Sequence, residues 1–304
     1  MSTPHFGDRL ITRVREIGHP LCLGLDPHLA LIPPLFRRGN MAAADPQTAP
    51  AVEAFLLAVL ERVAGRVAIV KPQAAFFEQL GWRGVQVLDH VVAAARAQGV
   101  LVLLDAKRGD IDSTAAAYAS YLDPGGALPV DAMTVNPYLG RDTLAPFIER
   151  TALGRRGLFV LVKTSNPGST DFQDRLVEGR PLFEVIADAL QKLAAQLNGP
   201  ETGWSALGVV VGATYPEQSR RIRELLPCAP FLVPGYGAQG GAAADAVSGF
   251  VRGPAGELEG GVVSSSRATL FPEDGATDTA RAWERAIDAA VDRAIGQLRA
   301  AIAR

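Results

Sequence analysis

Three of the four charged side chains in the segment 103–111 have a spacing that suits proton chemistry. It reads Leu-Leu-Asp-Ala-Lys-Arg-Gly-Asp-Ile, so that Asp105, Lys107 and Asp110 follow an apolar run. Because successive side chains of a strand point to opposite faces, Asp105 and Lys107 are expected to point the same way, with Asp110 in the following loop. This alternation of carboxylate, ammonium and carboxylate could hold a proton donor beside a negatively charged substrate. A solvated salt-bridge cluster, which contributes little to stability, is the alternative interpretation.

The composition is that of a soluble globular enzyme with a sizeable core. The chain has 304 residues, of which 48% are hydrophobic and 20% are charged, as in ordinary globular domains. The formal net charge of −2 does not indicate a nucleic-acid partner or an anionic membrane surface. No apolar run approaches the ~18 residues of a membrane span, and the N-terminal segment lacks the apolar region of a secretory signal. We therefore expect a cytoplasmic protein.

The cysteines and histidines do not predict a metal site. Cys22 and Cys228 lie in apolar contexts without metal-ligand spacing, which favours core positions in a reducing compartment. The four histidines are scattered and form no H-x-x-x-H pair, so a transition-metal site is not expected.

Short apolar runs alternate with amphipathic, alanine-rich segments along the chain. Parallel strands need helical crossovers, and eight strand–helix units are the number that closes a (β/α)8 TIM barrel. We predict one such barrel domain over residues 1–304, with a short N-terminal helix near 6–17. A doubly wound sheet is the alternative, but the loop after the first strand lacks its G-x-G-x-x-G pattern. The predicted strands are 21–25, 67–71, 100–105, 132–135, 158–163, 207–211, 231–233 and 261–264, and the predicted helices are 51–64, 84–98, 113–122, 141–153, 183–197, 216–226, 240–249 and 277–302.

Two connections are long for a compact domain. Residues 27–50 are rich in proline and alanine, and residues 166–182 are polar and contain glycine. Loops of this length are typically lids, binding loops or poorly ordered insertions. The segment 252–260 is interpreted as a plain surface insertion.

The carboxyl ends of barrel strands share one mouth, which is where barrel enzymes have their active sites. Polar residues follow every predicted strand, and independent surface clusters would explain that pattern poorly. These residues are Asp26, Lys71, Asp105, Lys107, Asp110, Asn136, Lys163, Ser165, Thr214, Gln239, Ser264 and Arg267.

The last two strand ends have the features of a phosphate site. Glycines at 235, 237, 240 and 241 let backbone N–H groups approach an anion, and the N-terminus of the next helix adds positive potential. Arg267 supplies a forked cation suited to phosphate oxygens. Barrel enzymes often bind phosphate after strands seven and eight.

Together these residues resemble the orotidine 5'-phosphate decarboxylase family, in its longer-chain bacterial branch. The resemblance extends from the first strand to the eighth, and the Asp-x-Lys-x-x-Asp element is specific when a lysine also ends the second strand. One departure is Ser266-Arg267-Ala268, where many members carry Gly-Arg-Ser. The motifs are Leu23-Gly-Leu-Asp26-Pro27, Val70-Lys71-Pro-Gln, Asp105-Ala-Lys107-Arg-Gly-Asp110-Ile-Asp-Ser-Thr114, Val162-Lys-Thr-Ser165-Asn-Pro-Gly, Pro234-Gly235-Tyr-Gly-Ala-Gln239-Gly240-Gly and Ser266-Arg267.

The resemblance implies decarboxylation of orotidine 5'-monophosphate to uridine 5'-monophosphate without a metal or an organic cofactor. Lys107 would stabilise the C6 carbanion and deliver the proton. Asp105 would lie against the substrate carboxylate. Lys71 and Asp110 would complete the charge network.

The resemblance also implies how the nucleotide is bound and that the enzyme is a homodimer. Asp26 and Lys71 would contact the ribose hydroxyls, and Ser165 the pyrimidine edge. Asp110 and Thr114 would enter the neighbouring subunit's site, so that the active sites are shared. Binding of the phosphate would drive closure of the loop 235–241. The remaining substrate-binding residues, at the phosphate end, would be Gly235, Gln239, Gly240, Ser266 and Arg267.

Two other functions remain open at this stage. Magnesium-dependent sugar-phosphate decarboxylases and aldolases share the Asp-x-Lys-x-x-Asp element, but they carry a glutamate where this chain has Lys71. A nucleotide-binding module without turnover is the non-enzymatic alternative, although such a module has little use for an acidic pair facing an anionic ligand.

Overall fold

Eight parallel strands close into a barrel in the computed structural model, which describes residues 4–152, 155–237, 242–272 and 279–303. Around the barrel the order is β1, β8, β7, β6, β5, β4, β3 and β2. The predicted (β/α)8 TIM barrel is therefore confirmed. The strands are β1 Leu21–Leu25, β2 Ile69–Pro72, β3 Leu101–Arg108, β4 Ala132–Val135, β5 Gly157–Lys163, β6 Leu207–Val211, β7 Phe231–Val233 and β8 Gly261–Ser265.

The strands are runs of apolar, often β-branched residues because both faces of a parallel sheet are covered. Every residue of β1, β2, β4, β6, β7 and β8 is buried. Helices cover the outside of the barrel. They are α1 Phe6–Ile17, α2 Thr48–Val63, α3 Ala74–Glu78, α4 Gly81–Ala97, α5 Asp112–Ala119, α6 Ala145–Ala152, α7 Leu182–Gln196, α8 Pro216–Leu225, α9 Ala243–Ala246, α10 Arg267–Leu270 and α11 Ala280–Ile302.

Strand bounds follow the predictions most closely where an apolar run stands alone. β1, β4, β6 and β7 have the predicted bounds, and α1 begins and ends where it was expected. β3 differs, because it continues past Asp105 to Arg108. The helix predicted at 240–249 is only the short α9, and its first two positions lie outside the described residues. None of the described helices is long and apolar enough to cross a membrane.

The long connections contain local structure of their own. Residues 27–50 include the 3-10 turns Leu29–Leu31 and Pro34–Phe36, and the ring of Phe36 packs on Trp283 with centroids 4.8 Å apart. Residues 166–182 include a 3-10 turn and a short hairpin.

The segment 252–260 was predicted to be a plain surface insertion, and this is wrong at its end. Residues 252–258 are mostly exposed and form part of a small hairpin. Glu259, however, is buried and accepts hydrogen bonds from Arg15 and from the indole of Trp204. The hairpin thus fastens α1 to the barrel.

The start of α1 is packed tightly against the amino-terminal end of β5. Phe6 is fully buried and meets Phe159 edge-on, with ring centroids 6.1 Å apart. A Cβ added to Gly157 would lie 2.3 Å from the Phe6 ring, so only glycine fits at this point.

We expect Phe6→Ala to lower the free energy of unfolding by about 3–5 kcal/mol, because it removes a fully buried ring from a close-packed site. The control is Phe172→Ala, since Phe172 is 74% exposed; its effect should stay within about 0.5 kcal/mol. Guanidinium denaturation of both variants measures the difference. Equal losses would show that α1 does not close the core.

Candidate active site

One cavity of about 510 Å³ lies at the carboxyl ends of the barrel strands. Its wall includes residues at the carboxyl end of β3 and residues that follow β1, β2, β5, β7 and β8, as expected for a barrel mouth. The sequence-predicted residues that line it are Asp26, Lys71, Asp105, Lys107, Ser165, Gly235, Ser266 and Arg267.

The carboxylate of Asp105 is at the centre of the charged part of the cavity. It accepts hydrogen bonds from Lys71 Nζ at 2.9 Å, from Lys107 Nζ at 2.6 Å and from Thr134 Oγ1 at 2.9 Å. Asp105 and Lys71 are both buried, at 6% and 5% exposure, whereas the Lys107 side chain is 42% exposed toward the cavity. Asp105 and Lys107 therefore lie together, as the alternation of strand side chains predicted.

Burial and neighbouring charges shift the pKa values of Asp105 and Lys71 in opposite directions. Burial alone would raise the pKa of Asp105, but the charges and hydrogen bonds of Lys71 and Lys107 outweigh it and hold the pKa well below its usual range. Burial alone would lower the pKa of Lys71, but the negative charges of Asp105 and Asp26 raise it above its usual range. Both side chains are therefore ionised at neutral pH.

The backbone at Lys107 takes a conformation that is uncommon for a non-glycine residue, with φ at +47°. Thr134 of β4 holds it there. The Thr134 hydroxyl accepts hydrogen bonds from Ala106 N at 3.0 Å and Lys107 N at 2.9 Å while it donates to Asp105. A hydroxyl has two acceptor sites and one proton, so its hydrogen-bonding capacity is fully used.

Asp26 connects the first strand with the last. Its Oδ2 accepts a hydrogen bond of 2.6 Å from Ser266 Oγ, and its Oδ1 lies 3.9 Å from Lys71 Nζ. Within the described residues, the buried Oδ1 has no hydrogen-bond partner. A Cβ on Gly24 would lie 2.6 Å from Ser266 Cβ, so glycine at 24 permits this approach. Asp26 can therefore accept hydroxyl donors from a ligand.

The opposite side of the cavity is suited to an anion. Gly235 has φ at +92°, a value that favours glycine, and Arg267 begins α10 at the cavity edge. His28 also lines this wall, with its ring 4.5 Å from the Phe76 ring. Burial lowers the pKa of His28, and the charge of Arg267 lowers it further, so Arg267 is the cation of this wall.

Ser165 lines the wall contributed by β5 and the loop after it. Its backbone passes close to Gly212, where an added Cβ would lie 2.7 Å from Ser165 Cα. The loop is fastened beneath it by Lys163, which is fully buried and donates to Asp174 Oδ1 at 2.7 Å. The sequence left open whether 166–182 is a lid, a binding loop or an insertion, and this ion pair attaches the loop to the barrel.

Two predicted residues that the structure describes lie away from the cavity wall. Asp110 is half-buried and Thr114 exposed, and both lie in the turn that leads into α5 and along its first turn, away from the cavity wall. Gln239 and Gly240 lie outside the described residues.

Sequence reasoning missed several residues of the site. Thr134 is the most informative, and the available signal was a polar residue inside the otherwise apolar strand 132–135. His28 was interpreted as a surface or packing residue. It does pack on Phe76, but it also borders the cavity. Ser264 lines the cavity as its place at a strand end predicted, and the other cavity residues without an assigned role are Gln73, Thr164, Asn166 and Tyr236.

The geometry supports chemistry on an anionic ligand. Two ammonium groups that line the cavity flank one carboxylate, and Lys107 is the more exposed of the two, at 42% against 6% for Lys71. A proton could therefore pass from Lys107 to a ligand while Lys71 keeps Asp105 ionised.

Known proteins of one family share both the sequence and the fold. The family model for the orotidine 5'-phosphate decarboxylase / HUMPS family matches residues 19–277. The orotidine 5'-phosphate decarboxylase of Rhodopirellula baltica is 42% identical over 273 residues, which is 88% of each chain. That of Haloarcula marismortui is 43% identical over 277 residues, or 90% of each chain.

Solved structures give the same result. A crystal structure from Streptomyces avermitilis superposes with a TM-score of 0.81 at 38% identity and covers 100% of this chain and 98% of its own. Leishmania donovani OMP decarboxylase has a TM-score of 0.76 at 31% identity, with 98% of both chains covered. The matched residues include all eight barrel strands and the cavity walls. The resemblance identified from the motifs is confirmed, and the chain belongs to the orotidine 5'-phosphate decarboxylase / HUMPS family.

Proposed function

We propose that this protein decarboxylates orotidine 5'-monophosphate to uridine 5'-monophosphate in pyrimidine biosynthesis, without a metal ion. The observation that carries the proposal is the buried Asp105 between Lys71 and Lys107 in the barrel mouth. Relatives that are 42% and 43% identical to this chain bear the name of that decarboxylase.

In the proposed reaction the bond between C6 and the carboxylate carbon breaks, and carbon dioxide leaves. The electron pair stays on C6, where the Lys107 ammonium stabilises it and then donates a proton to it. Lys107 regains a proton from solvent after product release. Stabilisation of developing charge by a preorganised cation is a large contribution in such sites.

Lys71 favours this reaction over the magnesium-dependent one. Its ammonium lies 2.9 Å from Asp105 and 3.9 Å from Asp26, so a positive charge of the chain itself already lies between the two carboxylates. A divalent cation beside them would be repelled by that ammonium. The sugar-phosphate chemistry of related barrels is therefore less suited to this site.

The other walls fit the parts of the nucleotide. Asp26, with its unpartnered Oδ1, would accept hydrogen bonds from the ribose hydroxyls, and Ser165 would contact the pyrimidine edge. Arg267 would bind the phosphate together with Gly235 and Ser266, and we extend the proposal to Gln239 and Gly240. Binding energy from the phosphate, remote from the bond that breaks, can drive closure that excludes water.

We also propose a homodimer in which Asp110 and Thr114 complete the partner's site. The loops after β3 and β4 are joined by the hydrogen bond from Asn136 N to Arg108 O. They carry apolar side chains exposed to 54% at Ile111 and 87% at Tyr138. Adjacent exposed apolar side chains mark interaction surfaces, and this surface lies beside Asp110.

Two further expectations are part of the proposal. The barrel strands extend from residue 21 to residue 265, and α1 and α11 both contribute buried residues to the same core, which supports a single domain over the chain. Cys22 and Cys228 are both free thiols, which favours a cytoplasmic location.

Thr134 is proposed as a positioning residue. Its hydroxyl accepts hydrogen bonds from the backbone N–H groups of residues 106 and 107 and donates one to the Asp105 carboxylate, which binds the Lys107 ammonium. It therefore acts on the reacting ammonium through Asp105 and the backbone of Lys107.

We expect Lys107→Ala to abolish turnover while affinity for uridine 5'-monophosphate stays measurable, because the proton donor is lost and the binding walls remain. The loss of orotate absorbance measures turnover, with and without EDTA. The control Lys192→Ala alters an exposed lysine of α7 and should be unchanged. Near-normal turnover of Lys107→Ala would refute the assignment, and inhibition of the wild type by EDTA would favour the magnesium-dependent alternative.

Shared sites predict complementation between inactive variants. Mixing Lys107→Ala with Asp110→Ala should restore about a quarter of wild-type activity, because half of the dimers are mixed and each mixed dimer keeps one intact site. Mixing Lys107→Ala with Lys71→Ala should restore none, because both lysines lie in one chain's cavity. Native mass spectrometry verifies subunit exchange; no recovery in the first mixture despite exchange would contradict a shared site.

The role of Thr134 predicts a separation of kcat from binding. Thr134→Val leaves two backbone donors without their acceptor, at about 1–3 kcal/mol each, so kcat should fall by about 10- to 100-fold with little change in product affinity. Thr134→Ser keeps the hydroxyl and should recover most of the activity. A loss of stability in Thr134→Val without a change in kcat would show that the contact is only structural.

A further inference from the structure

A second cavity, of about 330 Å³, lies at the opposite end of the barrel from the candidate active site. Residues 99 and 100 precede β3, Asp131 precedes β4 and Arg156 precedes β5, so the cavity is at the amino ends of these strands. Its described lining consists of Arg9, Arg96, Gly99, Val100, Pro124, Asp131 and Arg156.

The lining carries more positive than negative charge. Three guanidinium groups, those of Arg9, Arg96 and Arg156, face one carboxylate, that of Asp131. Arg9 Nη2 lies 2.9 Å from Asp131 Oδ1, and Arg156 Nη1 lies 3.7 Å from the same oxygen. The other oxygen, Oδ2, accepts a hydrogen bond from Val102 N at 3.0 Å. The formal charge of the described lining is thus +2.

Guanidinium donors remain unused in the cavity. Counting only partners among the described residues, Arg9 Nη1 and Arg156 Nε are buried and have no hydrogen-bond partner. Arg156 as a whole is only 5% exposed. Buried donors, and charged donors above all, are normally paired, so these two nitrogens indicate an acceptor from outside the chain.

The like charges at this end also act on each other. Burial lowers the pKa of Arg156; Asp131 offsets this in part, and the charges of Arg96, Arg9 and Arg155 lower it further. A bound anion would relieve both the repulsion and the unpaired donors.

We propose that this cavity is a binding site for a dianionic phosphate group. A dianion matches the charge surplus of two, and guanidinium groups arriving from α1, from the end of α4 and from the start of β5 surround an oxyanion from different directions. The volume exceeds that of the bare ion, so inorganic phosphate and a small phosphate monoester are both accommodated. The site is separate from the Arg267 wall and does not depend on the proposed decarboxylation.

Isothermal titration calorimetry with inorganic phosphate tests the proposal. A chloride solution of the same ionic strength is titrated as the reference. All proteins carry Arg267→Ala, so that the other phosphate wall is weakened. The informative variant is Arg96→Gln, because Arg96 is exposed and, within the described ranges, its side chain donates a single hydrogen bond, to Pro129 O, so folding should survive. Arg83→Gln is the matched control, with the same charge change on the same helix, outside the cavity.

We expect Arg96→Gln to weaken phosphate binding by about tenfold or more, as loss of a charge-assisted hydrogen bond does, and Arg83→Gln to leave it unchanged. A second titration uses glycerol phosphate in place of phosphate. Tighter binding of glycerol phosphate than of phosphate indicates a monoester ligand, the reverse indicates the free ion, and either result supports the site. Equal affinities in the two variants, or no saturable binding in the Arg267→Ala parent, would overturn the proposal.

Discussion

The ionised carboxylate of Asp105 is the group on which the arrangement of the barrel mouth depends. A buried charge is tolerated only where opposite charges and hydrogen bonds surround it. Here Lys71 comes from β2, Lys107 from β3 and Thr134 from β4. One side chain thus fixes the ends of three neighbouring strands relative to each other. Removal of any partner would leave a buried charge incompletely compensated.

β3 and β4 are joined by side chains at both ends of the barrel. At the amino end, the Asp131 carboxylate accepts from Val102 N. At the carboxyl end, the Thr134 hydroxyl accepts from the backbone of residues 106 and 107. Between Leu104 and Arg108 the regular pairing of the two strands is interrupted. Irregular pairing often re-aims side chains beside active sites, and here it permits the positive φ of Lys107 while the threonine satisfies the freed backbone donors.

This irregularity separates what the sequence could predict from what it could not. The alternation of strand side chains correctly placed Asp105 beside Lys107, and isolated apolar runs gave the bounds of β1, β4, β6 and β7. Alternation assumes a regular strand, however, so it ended β3 too early and gave Thr134 no role. The fastening of the loop 166–182 by Lys163 and Asp174 was also beyond prediction, because ion pairs across loops follow no local pattern.

The position of Asp110 could not be predicted from the sequence for a different reason. Charge spacing grouped it with Asp105 and Lys107, but Asp110 does not line the cavity, and its Oδ1 accepts a hydrogen bond of 2.9 Å from Ile111 N. In the proposed homodimer this carboxylate would serve the partner's cavity, and a single sequence contains no record of the distance between two copies.

The pairing of Asp105 also bears on how the proposed reaction is accelerated. A substrate carboxylate about 4 Å from a lone aspartate would be repelled by about 4 kcal/mol at an effective dielectric constant near 20. Asp105 is not alone, because two ammonium groups within 2.9 Å and 2.6 Å already offset its charge. Much of the repulsion is therefore cancelled before the substrate arrives. Relief of ground-state strain then contributes less than the attraction between Lys107 and the carbanion, which grows only as the bond breaks.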